Sequence, residues 1–188
     1  MIKPVNYITQ NNLLLTNLIE FYKNESALNR MLNIITGENK ISLRIVDWFA
    51  TNYAKKYYTI YSINNAGEPP KRFKVYVDYK LKLKAYSKRR FDPFCRWDRI
   101  SIPYKNNTSI ETTIGQLNFF KWAIENKVIE FIEQNYDEIE TDMNCRNSTS
   151  RRKELVDNSK TRKKREELSI SATKSIKKEK VEIVVQFN

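Results

Sequence analysis

The sequence predicts an α+β fold, and three observations lead there. Apolar residues recur at helical spacing through the first seventy residues. Strict alternation of apolar and polar residues runs from Phe73 to Ala85. Two apolar stripes follow a helix-capping sequence between Thr113 and Tyr136. With 188 residues, 40% of them hydrophobic and 12% aromatic, the chain is long enough for one ordinary domain with a core, or for a domain and a tail. The expected organisation is a globular domain over residues 1–143, a basic arm or linker over 144–180, and a C-terminal strand over 181–188.

In chain order, Leu14, Leu18, Phe21 and Tyr22 trace a first helix and Leu28, Met31, Leu32 and Ile35 a second, for which Gly37 is a natural stop. Asn39 can cap a third helix carrying Ile41, Ile45, Trp48, Phe49 and Tyr53. Tyr57 to Ile63 is β-prone, and Asn64 to Pro70, with Gly67-Glu68-Pro69-Pro70, is the clearest loop. Between Phe73 and Ala85 the apolar residues Phe73, Val75, Val77, Tyr79, Leu81, Leu83 and Ala85 interleave with Lys74, Tyr76, Asp78, Lys80, Lys82 and Lys84. A period of two points successive side chains to opposite faces of a strand, so Phe73–Leu83 reads as a half-buried strand with a lysine face. A helix is the rival reading for its second half, because Tyr79, Leu83 and Tyr86 also fit helical spacing.

Residues 99–112 suggest a β-hairpin, with Ile100, Ile102 and Tyr104 on one strand and Ile110 to Thr112 on the other. Thr113-Ile-Gly-Gln116 matches a capping box. Beyond it, Leu117, Phe120, Ile124, Val128 and Phe131 form one stripe and Phe119, Trp122, Ile129, Ile132 and Tyr136 another, which predicts a single central helix over 113–136 buried on two sides. Val181 to Phe187 is β-prone and cannot satisfy its backbone alone, so it is expected to join the main sheet or a partner's.

The formal charge is +12, and it is unevenly spread. Residues 71–105 carry twelve basic and three acidic groups, residues 106–150 three and eight, and residues 151–188 twelve and six. Such a balance points to a polyanionic partner, nucleic acid or an anionic surface. No run approaches 18 apolar residues and the N-terminus lacks the apolar core of a signal peptide, so no membrane association is expected. Two widely spaced cysteines and no histidine give neither a disulfide framework nor a zinc site, and no metal or cofactor is called for.

The segment Lys71–Arg99 combines eleven basic residues with seven aromatic ones. Cations attract phosphates and exposed rings stack on bases. The candidate nucleic-acid contacts are Lys80, Lys82, Lys84, Lys88, Arg89, Arg90, Arg96 and Arg99, helped by the cluster Lys160, Arg162, Lys163, Lys164 and Arg165. Lysines also protect exposed strand edges, and Tyr79, Phe91 and Phe94 read as core. Arginines around Asp92-Pro93 suit forked phosphate contacts. The acids Asp137, Glu138, Glu140 and Asp142 sit at the end of the predicted central helix, where they oppose its dipole and call for a basic partner such as Arg151, Arg152 or Lys153.

Catalysis finds little footing. Cys95 beside Arg96 has no histidine to serve as base, and no glycine-rich phosphate loop occurs. Asp78-Tyr-Lys80 could be the end of a metal-dependent nuclease motif, with Asp47 upstream, but on a strand Asp78 and Lys80 share a face by simple alternation and such tripeptides are frequent.

The stretch Leu83–Arg96, the segment Ile110–Ile124, the Lys160–Ser169 region and the final strand resemble uncharacterised proteins of nucleocytoplasmic large DNA viruses of the mimivirus and phycodnavirus kind. The resemblance implies a viral protein acting in the host cytoplasm or viral factory, in the virion or in the host nucleus, and it brings no catalytic residues. The expectation is a non-enzymatic nucleic-acid-binding protein, DNA before RNA. The alternative is a structural or virion protein that binds an acidic partner, or self-associates through its C-terminal strand.

Overall fold

The computed structural model describes residues 10–64, 67, 69–95, 99–104, 108–156 and 177–180. It has an α+β architecture of helices packed with two small antiparallel sheets. Helix α1 spans Gln10–Tyr22 and α2 Glu25–Thr36. The side chain of Asn24 caps α2 by accepting from the Ser26 and Ala27 amides, and Gly37, at φ 82°, closes it. Helix α3, Leu43–Trp48, runs through a π-helical turn, Phe49–Tyr53, into the short α4, Ala54–Lys56. Its cap is Ser42, whose hydroxyl accepts from the Ile45 amide at 3.3 Å; the expected cap, Asn39, instead stabilises the preceding turn by accepting from the Ile41 amide.

Strands β1, Ile60–Ile63, and β2, Lys71–Lys74, pair around the Pro-rich loop. Here the predicted strand over Phe73–Leu83 fails beyond Lys74. The chain leaves β2 at Lys74 and continues as helix α5, Val75–Phe91. Alternation from 73 to 85 hid a second pattern: Val75 and Tyr79 are four apart, both buried, and Leu83 and Tyr86 follow on the same side. Tyr79 lies edge-on to Phe119 and close to Phe91 and Trp122, and Asp78 accepts from the Trp122 indole N–H at 2.7 Å. Burial against an aromatic helix outweighs the modest β preference of the segment.

Strands β3, Arg99–Tyr104, and β4, Thr108–Thr113, form the predicted hairpin. A third strand, β5, Lys177–Lys180, pairs antiparallel with β4, with Lys180 opposite Thr108 and Lys177 opposite Glu111. The predicted strand 181–188 lies outside the described residues, directly after β5.

Helix α6, Ile114–Glu125, is the centre of the molecule, with Leu117, Phe119, Phe120 and Ala123 fully buried. Thr113 caps it by accepting from the Gln116 amide at 3.2 Å. The Gln116 side chain accepts from the Thr112 hydroxyl, so the capping box is half made. The central helix does not run to 136. It ends at Glu125; α7, Val128–Gln134, and α8, Tyr136–Val156, follow. Asn126 and Asn135 turn their amide groups back onto the Trp122 and Phe131 carbonyls, and Lys127 takes a left-handed φ of 56°. These local bonds compete with helix continuation, so the two stripes wrap the core on successive short helices. The acids at 137–142 consequently fall near the start of α8, with Asp137 and Glu138 in its first turn, where they favour its dipole. They face basic partners from elsewhere: Lys40 pairs with Asp137 and Lys56 with Asp142. The expectation that they sit at a helix end is thereby reversed.

Candidate nucleic-acid interface

The structure separates the lysines that a strand would have aligned. Successive residues on a helix turn by about 100°, so Lys80 and Lys84 share the outer face of α5 with Val77 and Leu81, while Lys82 lies on the other side, half-buried. Asp78 and Lys80 are split in the same way. The Asp78 carboxylate accepts from the Trp122 indole N–H, and the strand face that alternation would have given Asp78 and Lys80 is not formed.

Helix α5 is interrupted at Ser87, whose φ of 64° and ψ of 166° lie in a region that glycine alone enters readily. Three contacts hold the chain beyond the break. Phe91 is fully buried. The Asn118 side chain donates to the Arg90 carbonyl at 2.9 Å. Gly115 lies under Asp92, where a Cβ would stand 2.7 Å from the Asp92 carbonyl oxygen. Lys88 and Arg89 are exposed and Arg90 half-buried on this last turn, where cations suit the helix dipole. The Asp92 carboxylate accepts from the Phe94 amide at 2.9 Å and fixes the Asp-Pro turn. Arg99 forms an ion pair with Glu111 at 3.2 Å, which takes up part of its charge. Arg96 and the cluster Lys160, Arg162, Lys163, Lys164 and Arg165 lie outside the described residues.

The basic surface that the fold builds is a groove along the outside of α5. One hollow, of about 230 Å³, is lined by Ala54, Lys55, Tyr58, Thr59, Ile60, Lys74, Tyr76 and Val77. A shallower one of about 510 Å³ adjoins it through Tyr76 and Val77 and adds Lys80, Leu81, Leu83 and Lys84. The described lining holds four lysines and no carboxylate. Among the described residues none of the four is in an ion pair, although Lys55 lies 5.7 Å from the centre of the Tyr76 ring. Tyr58 is 84% exposed, Leu81 60% and Val77 53%.

Lys55, Tyr58 and Lys74 were not among the sequence candidates. The run Lys55-Lys56-Tyr57-Tyr58 carried a trace of them. The helix end divides that run: Lys56 and Tyr57 both bind Asp142, at 2.5 and 3.3 Å, while Lys55 and Tyr58 line the groove. Burial alone would raise the Asp142 carboxyl, but hydrogen bonds from Lys56 and Trp48 outweigh it and hold the group below the usual carboxylate range. Asp142 therefore fixes the orientation of the segment that carries the groove's first wall.

Among the described residues, no group of three or more acids and cysteines could hold a metal ion, and no helix is long and apolar enough to cross a membrane. Burial, followed by the nearby charge of Asp92, pushes the Asp47 carboxyl up to about 7. Asp47 stands behind α5 near Tyr79, away from the groove lining.

No solved structure matches the chain. The chain is 46% identical over 136 residues to "Uncharacterized protein L507" of Acanthamoeba polyphaga mimivirus, an alignment covering 70% of this chain and 51% of the relative. The chain thus spans about half the length of the curated relative it matches, and the expected resemblance to uncharacterised giant-virus proteins is met. Residues 5–187 match the family of unknown function DUF7197, and the chain belongs to that family.

Proposed function

We propose that this protein binds nucleic acid, DNA before RNA, through the groove on the outer face of α5, and does so without cleaving it. The observation that carries the reading is the lining itself: Lys55, Lys74, Lys80 and Lys84 converge on one surface that, among the described residues, has no carboxylate. A cationic groove of this kind attracts phosphates through counterion release, largely regardless of sequence. Lys88 and Arg89, exposed on the last turn of α5, extend the same basic character. The viral relative suits a protein that meets nucleic acid in an infected cell.

Charge reversal tests the reading. The double variant Lys80→Glu/Lys84→Glu should bind a labelled oligonucleotide about tenfold or more weakly at low salt. The same reversal at Lys23 and Lys127, exposed lysines outside the groove, should leave affinity within about threefold. Equal losses from both pairs would reduce the effect to net charge and remove the groove from the account.

A further inference from the structure

We infer that the groove takes a single strand, with an unpaired base laid on the Tyr58 ring and against Val77 and Leu81, and its phosphates held by Lys55, Lys74, Lys80 and Lys84. The inference rests on the nucleic-acid reading above and specifies the form of the partner.

Tyr58 is the central observation. It follows the last turn of α4 with φ 48°, and the Thr59 amide reaches back to the Ala54 carbonyl at 3.1 Å. This is the left-handed residue of a Schellman closure, a position that glycine occupies at least cost. A tyrosine there carries backbone strain that glycine would not. Its ring offsets none of this by packing, because it is 84% exposed. A strained residue that presents a bare aromatic ring to a cationic groove has the form of a stacking platform.

The apolar part of the lining points the same way. Val77 and Leu81 lie one helical turn apart, both more than half exposed, on the same face as Lys80 and Lys84 and beside the hollow that Tyr58 walls. A duplex offers such a surface charged phosphates and sugars and leaves aliphatic side chains uncovered. An unpaired base covers them with its face, and sites for single strands combine a cationic track with such platforms. The first hollow, about 230 Å³, falls below the ~300–1,000 Å³ of sites for drug-sized ligands, which suits a single ring held at the edge of an open groove. Lys55, poised over Tyr76 within the same hollow, places a cation at its rim. Four lysines without a carboxylate among the described lining residues favour a polyanion over a protein helix as the occupant.

The full chain is titrated by fluorescence anisotropy into a labelled oligothymidylate of about 15 nucleotides and into a duplex of equal length. Alongside the parent are Tyr58→Gly, which relieves the backbone and so should melt no lower, and Tyr58→Phe. The expected results are a preference for the single strand of about tenfold or more, a loss of about tenfold in that affinity for Tyr58→Gly with the duplex unaffected, and near-parental binding for Tyr58→Phe. Equal affinity for both forms, or indifference to Tyr58→Gly, would overturn the single-strand inference and leave phosphate binding standing. No binding of either form at low salt would overturn both readings, as would binding of anionic lipid vesicles without binding of oligonucleotide.

Discussion

Single residues in this protein are tuned against their local preferences, and Asp47 is the clearest titrating case. Its carboxyl is pushed up to about 7 by burial and then by the charge of Asp92, whereas in the unfolded chain it titrates near the ordinary value of 3.8. Between those values the folded state holds a proton that the unfolded state has lost. The resulting stabilisation is fully present below about pH 4 and is lost as pH rises through 7. Asp47→Asn should therefore be nearly neutral at pH 4 and stabilising on the order of 2–4 kcal/mol at pH 8, read from urea unfolding at both values. A variant less stable than the parent at pH 8 would show that the charged carboxylate is held by partners. Asp142 has the opposite sign: its lowered carboxyl contributes stability at neutral pH that is lost as pH falls below the ordinary carboxylate range.

At the scale of elements, α5 decides the account. Its break at Ser87 follows the outer lysines Lys80 and Lys84 and brings Phe91 and Asp92 against α6. Ser87→Gly should stabilise the protein by about 1 kcal/mol, since the strain of the conformation exceeds the extra freedom glycine gives the unfolded chain. The denaturation midpoint should rise with an unchanged slope. A lower midpoint would mean the Ser87 side chain contributes more than its backbone costs.

The hairpin over 99–112, the α2 stop at Gly37 and the Thr113 cap were legible in the sequence because each depends on neighbours within a few residues. The identity of α5 was not. Val75, Tyr79, Leu83 and Tyr86 satisfy a helix, and the seven alternating apolar positions satisfy a strand; what settles the matter is the aromatic surface of α6, more than thirty residues onward. The end of α6 was hidden for a similar reason. Asn126 and Asn135 are acceptable within a helix, and their terminating bonds are visible only once the side chains are placed. Of the candidate site, Lys80 and Lys84 were found through charge, whereas Lys55, Lys74 and Tyr58 joined them through the folding of β1, β2 and α4 against α5.

The whole molecule segregates its charge. The acids of α7 and α8 are met by basic residues from the N-terminal helices and the turn between α2 and α3: Arg30 binds Glu130 and Glu133, Lys40 binds Asp137, and Lys56 binds Asp142. The groove lysines on the outside of α5 have no such counterparts in the groove lining. Exposed ion pairs add little stability, with a median of about 0–1 kcal/mol, so the consequence of this arrangement is electrostatic: one surface is left with unbalanced positive charge. The central claim is that this surface grips phosphates. Its most direct test is the dependence of oligonucleotide affinity on salt, measured for the parent and for Lys74→Ala, Lys80→Ala and Lys84→Ala. The account predicts a linear fall of log K with log salt, made shallower by roughly 0.7 for each lysine removed if the ligand is a single strand. Absence of binding at low salt, or a slope unchanged by all three substitutions, would contradict it.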